Sequence, residues 1–564
     1  MKQGLANSGL ARYLPILRWA PSYPIGWLRH DAVAGLTLAA VVIPQVIVYS
    51  TIIGVPVEAG LYTALVPMLI YAVLGTSRPL SVSGTSTIAI LTGTQLFAVV
   101  PSNDPADFMV AASVLALLVG VFLLLAALLR LGFIANFVSM PVLTGFKAGI
   151  GMVILVDQLD KVLGIAIVKD GFFQTIGALL MSLNETHLAT LALALITLAI
   201  LFFLPLITRR IPASLVAVVV GILAISLLGL NEMGVASIGS IHAGLPSFSL
   251  PDISLVKVLW PGALGIALMS FVESIAVART FAQRGDAPLN ANQELLALGA
   301  ANIGGSLFQA FPAGGGTSQT ATCDKAGARS QLASIFVALT VVLTLLFLAP
   351  VISLLPQATV GALIVVVAYG LIKPDDFRAI AKVRTTELYW AVIAFIGVIS
   401  FGTLQGILVA VLVSMFTLMV QANRPPVYVL GRRKGSNVFR PLRDHPGDET
   451  FPGLVILRIE GRMHFASAPR ASDRAWEIIT KEQPRVVAFE CSAIPDFEYT
   501  AIMMLTEFEQ TLSDSGLTLW LVALNPEALR VIRRAPIGGT LGPERMFSNL
   551  ELAVEAYQRM EKPA

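Results

Sequence analysis

Apolar stretches of the length that crosses a bilayer, about 20 residues, recur along the chain between Asp31 and Ala422. The last of them is too long for one crossing and contains a natural break at Gly402–Gly406. The pattern therefore predicts a polytopic helical membrane unit over residues 31–422. The clear stretches are Asp31–Ser50, Glu58–Gly75, Phe108–Leu131, Val138–Leu155, Leu188–Leu206, Pro212–Leu230, Leu259–Thr280, Leu332–Leu354, Ala358–Ile372 and Tyr389–Gln421.

Two segments inside this unit, Val82–Val100 and Phe311–Ser330, are conspicuously less apolar than the rest. A proline and a short run ending in Gly-Thr-Ser mark the start of each. One such segment lies in each half of the unit, roughly residues 31–230 and 255–422, as in transporters built from inverted repeats with broken helices. The pattern predicts two helices that begin inside the membrane. The matched positions are Gly84, Thr85, Ser86, Gly316, Thr317 and Ser318.

A helix that begins inside a membrane is suited to binding an anion. Its first backbone N–H groups have no partner within the helix, and the positive end of its dipole faces the gap. Glycine lets an ion approach the backbone, while serine and threonine hydroxyls add donors. Small residues also allow close helix packing, but packing leaves the prolines and the broken hydrophobicity unexplained. We therefore predict an anion site between the two half-helices.

One carboxylate, Glu273, lies near the middle of an apolar stretch, where ionisable residues usually serve a function. Low dielectric and a neighbouring anion both favour the neutral form of a carboxyl group. We predict that Glu273 binds a proton together with the anion; the alternative is a structural ion pair with Lys147 or Lys325. Asp157, near the end of a stretch, and Asp324, beside Lys325, are weaker candidates.

The first apolar stretch carries two polar side chains, Gln45 and Tyr49, which are one helical turn apart and so share a face. Pro44 precedes them and loosens the helix. Gln45 can donate amide hydrogens to an anion, and Tyr49 can form a wall of its pocket. Equally, Gln45 can satisfy the backbone groups that the proline frees.

Composition narrows the class of protein. The chain has 564 residues, a mean hydropathy of +0.79 and 13% charged residues, against about 25% in soluble domains. A formal charge of +3 gives no reason to expect a nucleic-acid partner. Two distant cysteines and five scattered histidines argue against a disulfide framework, a metal site or a haem centre. The sequence offers no nucleophile–base pattern and no phosphate-binding loop, so we expect neither an enzyme nor a bound cofactor.

Loop charge predicts the orientation of the chain. Basic residues cluster near the N-terminus and in alternate loops such as Lys373–Arg384, whereas the run Asn231–Asp252 is poor in them. The positive-inside rule then places the N-terminal segment, residues 1–30, and the C-terminal part on the cytoplasmic side of an inner (plasma) membrane. Residues 1–30 are typical of a basic amphipathic segment or of a disordered basic tail.

After Ala422 the pattern changes to strands that alternate with helices, which is typical of a small α/β domain. We predict a basic, proline-containing linker over residues 423–440 and the α/β domain over 441–564. A capping box of Ser548 and Glu551 would open the last helix. The predicted strands are Leu454–Phe465, Arg485–Ile494 and Leu517–Asn525, and the predicted helices are Tyr499–Leu512, Pro526–Ala535 and Ser548–Met560.

Several stretches together resemble the sulfate permease family, relatives of the animal solute-carrier anion exchangers. DAVAGLTLAAVVIPQ resembles the first span of that family, and GLYTALVPMLIYAVLGTSRPLSVSGTSTIAI resembles its second span and first half-helix. SFVESIA, followed by NQELLALGAANIGGSLFQAFPAGGGTSQTA, resembles the carboxylate span and the second half-helix. The C-terminal part is similar to a STAS domain. The resemblance covers about Asp31–Met560.

The resemblance implies an α-helical membrane protein with fourteen transmembrane segments in two inverted repeats of seven, followed by a STAS domain. It also implies a core bundle that carries the anion past a gate bundle by an elevator-type movement, commonly in a homodimer. The family's anion site lies between the half-helices. The positions that correspond to it here are Gln45, Tyr49, Gly84, Thr85, Ser86, Glu273, Gly316, Thr317, Ser318 and Gln319.

Two departures from the family pattern affect the expected chemistry. Many relatives place a basic residue where Gln319 stands, so the anion here would depend more on helix dipoles and on a proton at Glu273. Glutamate rather than aspartate at position 273 favours protons over sodium.

In the STAS domain, Tyr499 stands where bacterial anti-sigma antagonists carry a phosphorylated serine. We therefore expect a dimerising or regulatory module, with a cytoplasmic partner, rather than that phosphorylation switch.

The expected function is secondary active transport of a small inorganic anion, with sulfate and protons moving by symport. Bicarbonate, chloride or a C4-dicarboxylate are alternatives, by transport or by exchange. A nucleobase–proton symporter would be expected to have a second carboxylate near the other half-helix, where this chain has Gln319. The alternative from another class is an anion-sensing receptor that signals through its STAS domain.

Overall fold

The computed structural model describes residues 14–561, with gaps at 101–103, 137–138, 168–170, 209–210, 240–243, 284–285, 287, 403–405, 407–408, 410–411, 414, 418 and 421–422. The first part of the predicted N-terminal segment, residues 1–13, and the centre of the predicted break at Gly402–Gly406 lie outside the described residues. The chain divides into two compact units, Met1–Ser414 and Met415–Ala564.

The first unit consists of apolar helices. Within the described residues, eight helices are long and apolar enough to cross a membrane, and four shorter apolar helices accompany them. The count of fourteen spans therefore stays a prediction. The helices are α1 (Leu28–Ile53), α2 (Val57–Leu74), α3 (Ser86–Val99), α4 (Pro105–Leu128), α5 (Met140–Asp157), α6 (Leu159–Leu163), α7 (Phe172–Met181), α8 (Leu188–Ile207), α9 (Ala213–Leu228), α10 (Val256–Thr280), α11 (Ala291–Ser306), α12 (Thr317–Lys325), α13 (Leu332–Ile352), α14 (Gln357–Leu371), α15 (Pro374–Val383) and α16 (Thr385–Phe401).

The ends of these helices carry recognisable sequence signals. Helix α1 ends at Gly54, whose φ of 85° lies in the left-handed region that glycine adopts without strain. Helix α4 has proline as its first residue, and the Asp104 side chain before it accepts a hydrogen bond from the Ala106 N–H at 2.9 Å. Local sequence thus fixes where these spans begin and end.

The two weakly apolar segments meet through a short pair of strands. Strand β1 (Val82–Ser83) runs antiparallel to β2 (Gly314–Gly315), with Val82 opposite Gly315 and Ser83 opposite Gly314. Helix α3 begins directly after the first strand and α12 directly after the second. The prediction that each segment starts a helix within the membrane unit, the second at Thr317, is confirmed.

The helices of the membrane unit pack in two groups. Helix α10 packs mainly on α4 and α3, while α11 packs on α4 and α2 and α13 packs on α1. In the second group, α5 packs mainly on α16 and α14, and α8 packs on α14 and α9. Both half-helices belong to the first group, since α12 packs on α1 and α3 packs on α1 and α10.

The second unit is an α/β domain around a six-stranded sheet of order β4-β3-β5-β6-β7-β8. Strands β5, β6, β7 and β8 are parallel, and β3 joins them antiparallel. Separate hydrophobic clusters on the two faces of the sheet form its core. The elements are β3 (Val427–Arg432), β4 (Phe439–Pro441), β5 (Leu454–Ile459), α17 (Ala468–Glu482), β6 (Val486–Glu490), α18 (Tyr499–Asp514), β7 (Thr518–Val522), α19 (Pro526–Arg534), α20 (Pro536–Leu541), β8 (Met546–Phe547) and α21 (Leu550–Glu561).

Local details of this unit differ from the sequence-based expectation. The segment predicted as a linker, 423–440, already contains β3 and the start of β4, so the chain enters the sheet earlier. The strand predicted over Leu454–Phe465 ends at Ile459, because Gly461 adopts a φ of 103° and turns the chain. Helix α17 was absent from the prediction.

The predicted capping box at the last helix is wrong. The Asn549 side chain, rather than that of Ser548, accepts a hydrogen bond from the Leu552 N–H at 2.9 Å. Glu551 does not reach back to the helix start but accepts a hydrogen bond from the Asn437 amide. An asparagine next to a serine offers a competing cap of equal quality, and the sequence pattern cannot separate the two.

Candidate functional site

Residues 311–316, the non-helical crossover segment before α12, are held by polar side chains from two neighbouring helices. Asn302 of α11 bonds both backbone groups of Ala313, accepting from its N–H at 2.8 Å and donating to its carbonyl at 3.2 Å. Ser270 of α10 donates to the same carbonyl at 2.8 Å, and Ser274 accepts from the Gly315 N–H at 2.7 Å. These side chains satisfy a stretch of non-helical backbone inside a membrane unit, as such backbone requires.

The glycine run of this segment allows a close approach that no larger residue permits. A β-carbon on Gly314 would lie 2.4 Å from Ile88 Cδ1 and 2.9 Å from Ser270 Oγ. A β-carbon on Gly315 would lie 2.9 Å from the Cα atom of Ser274. The run therefore brings the start of α12 against α3 and α10.

Gln319 ties the two half-helix segments together. Its amide nitrogen donates to Gln45 Oε1 at 3.2 Å and to the Gly84 carbonyl at 3.0 Å. Its amide oxygen accepts from Ser83 Oγ at 2.7 Å and from Ser81 Oγ at 3.3 Å. Both polar ends of a buried amide are thereby satisfied by residues of α1 and of the segment before α3.

The aromatic wall of the site lies beside Gly84. Tyr49 is only 4% exposed, and a β-carbon on Gly84 would lie 3.4 Å from its ring and 2.9 Å from the ring of Phe311. The structure thus brings Gln45, Tyr49, Gly84 and Gln319 into one cluster. Phe311, which belongs to the second weak segment, was not among the predicted site residues.

The predicted hydroxyl donors differ in their exposure. Thr85 is buried, and its Oγ1 accepts the Ile88 N–H at 3.4 Å, which caps the start of α3. Ser86 is half-buried, whereas Thr317 and Ser318 at the start of α12 are exposed. The start of α12 is therefore the more exposed of the two half-helix starts.

Glu273 lies beside the start of α3 and carries an ion pair. Its Oε1 is 2.9 Å from Lys147 Nζ and 3.5 Å from Thr87 Oγ1. Its Oε2 is buried and has no hydrogen-bond partner among the described residues. Of the two lysines considered as partners, Lys147 of α5 takes this place.

Lys147 also lies at this site, although the sequence pattern indicated it only as a possible ion-pair partner of Glu273. It brings a positive charge from the second helix group to a carboxylate of the first, and its side chain is 25% exposed against 8% for Glu273. A lone lysine within the apolar run GFKAGIGM was the signal that could have revealed it.

Asp324, the weaker carboxylate candidate on α12, belongs to a different cluster. Arg78 contacts Asp324 at 3.3 Å and Asp286 at 3.1 Å, and Gln283 donates to Asp324 at 2.9 Å. Arg78 also donates to the carbonyl of Ala328. This cluster anchors the last turn of α12 to the loop before β1.

Asp31, at the start of α1, holds the backbone that follows the C-terminal end of α12. Its fully buried carboxylate accepts the backbone N–H groups of Arg329 at 2.6 Å and Ser330 at 3.1 Å. Ser330 Oγ at 2.7 Å and the Tyr23 hydroxyl at 2.9 Å donate to it as well. The end of α12 therefore lies on the side of the unit where α1 begins.

In the C-terminal unit, Tyr499 is the first residue of α18 and is 79% exposed. The preceding loop is acidic, and Arg462 contacts Asp496 at 3.2 Å and Glu498 at 3.7 Å. The side chain of Tyr499 is thus at the surface of this unit.

Comparison with known proteins gives matches along nearly the whole chain. Residues 28–394 match the sequence model of the sulfate permease family, and residues 445–553 match that of the STAS domain. A probable sulfate transporter of Mycobacterium tuberculosis strain H37Rv is 34% identical over 96% of this chain and 98% of its own length. Sulfate transporter 3.1 of Arabidopsis thaliana is 30% identical over 98% of this chain and 88% of its own length.

Solved structures match the fold. The murine solute carrier 26 family member A9 anion transporter, in an inward-facing state, superposes with a TM-score of 0.88 at 23% identity, covering 98% of this chain and 94% of its own. The transmembrane domain of the cyanobacterial bicarbonate transporter BicA gives a TM-score of 0.60 at 23% identity, covering 69% of this chain and 98% of its own.

Proposed function

Because the chain belongs to the sulfate permease family, we propose that it is a secondary active transporter that carries sulfate together with a proton. The relatives from Mycobacterium tuberculosis and Arabidopsis thaliana that match nearly its whole length are named as sulfate transporters, which supports sulfate as the anion. The coupled proton is inferred from one arrangement, the Glu273–Lys147 pair beside the half-helix starts.

This pair couples a proton to an anion by exchanging charge partners. With Glu273 ionised, the 2.9 Å contact to Lys147 leaves the pair without net charge. A proton on Oε2, which has no hydrogen-bond partner among the described residues, cancels the carboxylate charge, so the positive charge of Lys147 then acts on the neighbouring site. The sulfate dianion binds best to the protonated form, and each ligand therefore raises the affinity for the other.

The half-helices supply the remaining stabilisation. The first N–H groups of α3 and α12 have no helical partner, and both helices begin within three residues of the β1–β2 pair, so the positive ends of both dipoles lie near the proposed site. Exposed hydroxyls of Thr317 and Ser318 add donors without charge. The Gln45–Gln319 amide contact would open to turn its N–H groups toward the anion.

An elevator-type movement fits the two packing groups of the membrane unit. The group that contains α3, α10 and α12 carries the anion site, and the group of α5, α14 and α16 contributes Lys147. Sliding the first group past the second would move the bound anion across the membrane. We further propose a homodimer in an inner (plasma) membrane, with the N-terminus and the STAS domain in the cytoplasm and open to a regulatory partner.

Uptake into proteoliposomes tests the proposal. Purified full-length protein is reconstituted, and uptake of labelled sulfate, bicarbonate and succinate is measured with and without an inward proton gradient, with chloride as a competing anion. We expect sulfate uptake that the gradient accelerates. Sulfate uptake that ignores the gradient would reject proton coupling, whereas uptake of another anion alone would reject sulfate.

A further inference from the structure

The chain just before α1 forms a row of short helical turns that is basic and rich in aromatic residues. These turns are Ile16–Trp19, Ala20–Ser22 and Ile25–Trp27. Residues 14–30, which we call the interface segment, contain two arginines and no acidic residue. Arg18 and Arg29 are both exposed, and neither forms an ion pair with another described residue. The segment therefore presents positive charge that no carboxylate of its own neutralises.

Aromatic rings recur at every fourth residue of the interface segment. The rings of Trp19 and Tyr23 pack edge to face with their centroids 6.4 Å apart, and those of Tyr23 and Trp27 with their centroids 6.1 Å apart. The Trp27 side chain is 41% exposed. Tryptophan and tyrosine are enriched where a membrane meets water, because they combine an apolar ring with a polar group. This row of rings is therefore suited to the headgroup region of a bilayer.

Exposed apolar side chains continue from α1 into the interface segment. Val33 and Leu36 are exposed near the start of α1, a helix long and apolar enough to cross a membrane. Leu28, in the first turn of α1, is exposed as well, and Ile25 before it is 84% exposed. A basic segment with an apolar side of this kind lies in the plane of a membrane surface. The apolar side of α1 and that of the segment therefore form one continuous surface for lipid.

One hydrogen bond joins the interface segment to the backbone that follows α12. The Tyr23 hydroxyl donates to the Asp31 carboxylate at 2.9 Å. The same carboxylate accepts the backbone N–H groups of residues 329–330. Just before them, the Ala328 N–H donates to the Cys323 carbonyl of α12 at 3.2 Å. The position of the segment is thus connected to the last turn of the second half-helix.

We infer that the interface segment docks on the membrane surface and binds anionic phospholipid headgroups through Arg18 and Arg29, and that Tyr23 transmits this contact to α12 through Asp31. Anionic headgroups complement the two arginines, and the cytoplasmic leaflet, where the positive-inside rule places the segment, is rich in them. Docking holds Tyr23 against Asp31 and so stabilises the backbone that closes α12. The consequence for transport, a half-helix whose stability depends on lipid charge, rests on the proposed function.

Fluorescence quenching tests the headgroup contact without requiring transport. Ile25→Cys is labelled with an environment-sensitive fluorophore, and the native Cys323 and Cys491 are buried. The full-length protein is reconstituted in vesicles of phosphatidylcholine, alone or mixed with phosphatidylglycerol, that contain a nitroxide-labelled phospholipid. We expect stronger quenching in the anionic vesicles, and a smaller difference between the two lipids at high ionic strength.

Paired arginine variants identify the charges that make this contact. Each arginine near an anionic surface changes the docking equilibrium about fivefold, so Arg18→Gln combined with Arg29→Gln should reduce the quenching to its value in phosphatidylcholine. The matched control, Arg474→Gln with Arg559→Gln, removes the same charge from exposed positions of the STAS domain. Equal quenching in both lipids, or undiminished quenching without Arg18 and Arg29, would overturn the headgroup contact. A fluorophore shielded from water but not quenched would mean that the segment docks on protein, which would overturn it as well.

The reactivity of Cys323 tests the link to α12 in the Cys491→Ser chain. Tyr23→Phe keeps the ring contacts with the neighbouring tryptophans but removes the hydroxyl that donates to Asp31. Loss of one hydrogen bond to a charged group should make the alkylation of Cys323 about tenfold faster. Anionic lipid should slow this alkylation when Tyr23 is present and have no effect in Tyr23→Phe.

Tyr428→Phe is the matched control for this substitution, because the Tyr428 hydroxyl also donates to a carboxylate, that of Glu460 in the STAS domain. If anionic lipid slowed the alkylation of Cys323 equally with and without the Tyr23 hydroxyl, the link would be overturned. Sulfate uptake measured in the same two lipids separates this inference from the proposed function. Lipid-dependent protection of Cys323 in a chain that takes up no sulfate would retain the link and reject the proposed anion alone.

Discussion

In the proposed mechanism, the Glu273–Lys147 pair supplies the positive charge that position 319 does not carry. In this chain that position is an amide, and its four hydrogen bonds are all to uncharged groups. The positive charge comes instead from another helix, at 2.9 Å from a carboxylate that can release it. Under the proposal, the residue that binds the proton therefore also controls the charge available to the anion.

Replacing Glu273 by glutamine tests this exchange of partners. Glu273→Gln keeps the side-chain volume but cannot change its charge, so Lys147 stays free for the anion at every pH. We expect sulfate binding to persist while uptake loses its response to an inward proton gradient, measured in proteoliposomes over a range of pH. In the companion variant Lys147→Gln, sulfate affinity should fall at every pH. An unaltered pH response of Glu273→Gln would reject its role in coupling.

Ser318 tests whether the start of α12 binds the anion. Its side chain is exposed, so a larger residue is accommodated without repacking the core. Ser318→Leu should abolish sulfate binding, measured by the thermal shift that sulfate produces in detergent. Ser318→Ala removes one hydrogen bond to a charged ligand and should weaken binding about tenfold. Normal affinity in the leucine variant would mean that the Gly-Thr-Ser segment serves packing alone.

At the scale of elements, the crossing of β1 and β2 depends on the absence of a side chain at Gly314. Gly314→Ala would place a β-carbon 2.4 Å from Ile88 and 2.9 Å from Ser270, and overpacking of this kind costs about 1–3 kcal/mol. We expect a lower melting temperature and loss of sulfate binding. Gly370→Ala is the control, because no atom lies within 4 Å of its added carbon. Equal behaviour of the two variants would contradict the proposed packing.

The half-helices could be predicted from sequence because broken hydrophobicity is a local signal. Their pairing could not, since Val82 and Gly315 are joined by tertiary structure rather than by any pattern along the chain. The same holds for Asn302 and Ser274, which support the crossover through backbone hydrogen bonds. Polar residues within apolar spans were visible in the sequence, but their partners were not.

At the scale of the whole molecule, the sequence-based fold class is confirmed: apolar membrane-type helices precede a STAS domain. The boundary between its parts was less predictable. Strand β3 lies within the basic, proline-containing segment 423–440, so composition assigned it to a linker. Its place in the sheet depends on pairing with β5, which lies more than twenty residues further along the chain.

The two cysteines allow the stability of each unit to be followed separately. Cys323 is buried in the membrane unit and Cys491 in the STAS domain, where burial also raises the pKa of the thiol and suppresses the reactive thiolate. In the single-cysteine chains Cys491→Ser and Cys323→Ser, alkylation during guanidinium unfolding in detergent should give two different midpoints, because the units have separate cores. Coincident midpoints would mean that the units unfold as one.

The four hydrogen bonds of the Gln319 amide bear on how the proposed carrier returns without an anion. Its nitrogen donates to Gln45 and the Gly84 carbonyl and its oxygen accepts from two serine hydroxyls, so each polar atom of this side chain has a protein partner. In the proposed mechanism, polar side chains that satisfy one another without an anion let the carrier return across the membrane alone, so that delivery of one anion does not require binding of another. This hydrogen bonding thus favours the proposed net uptake of the anion over obligatory one-for-one exchange.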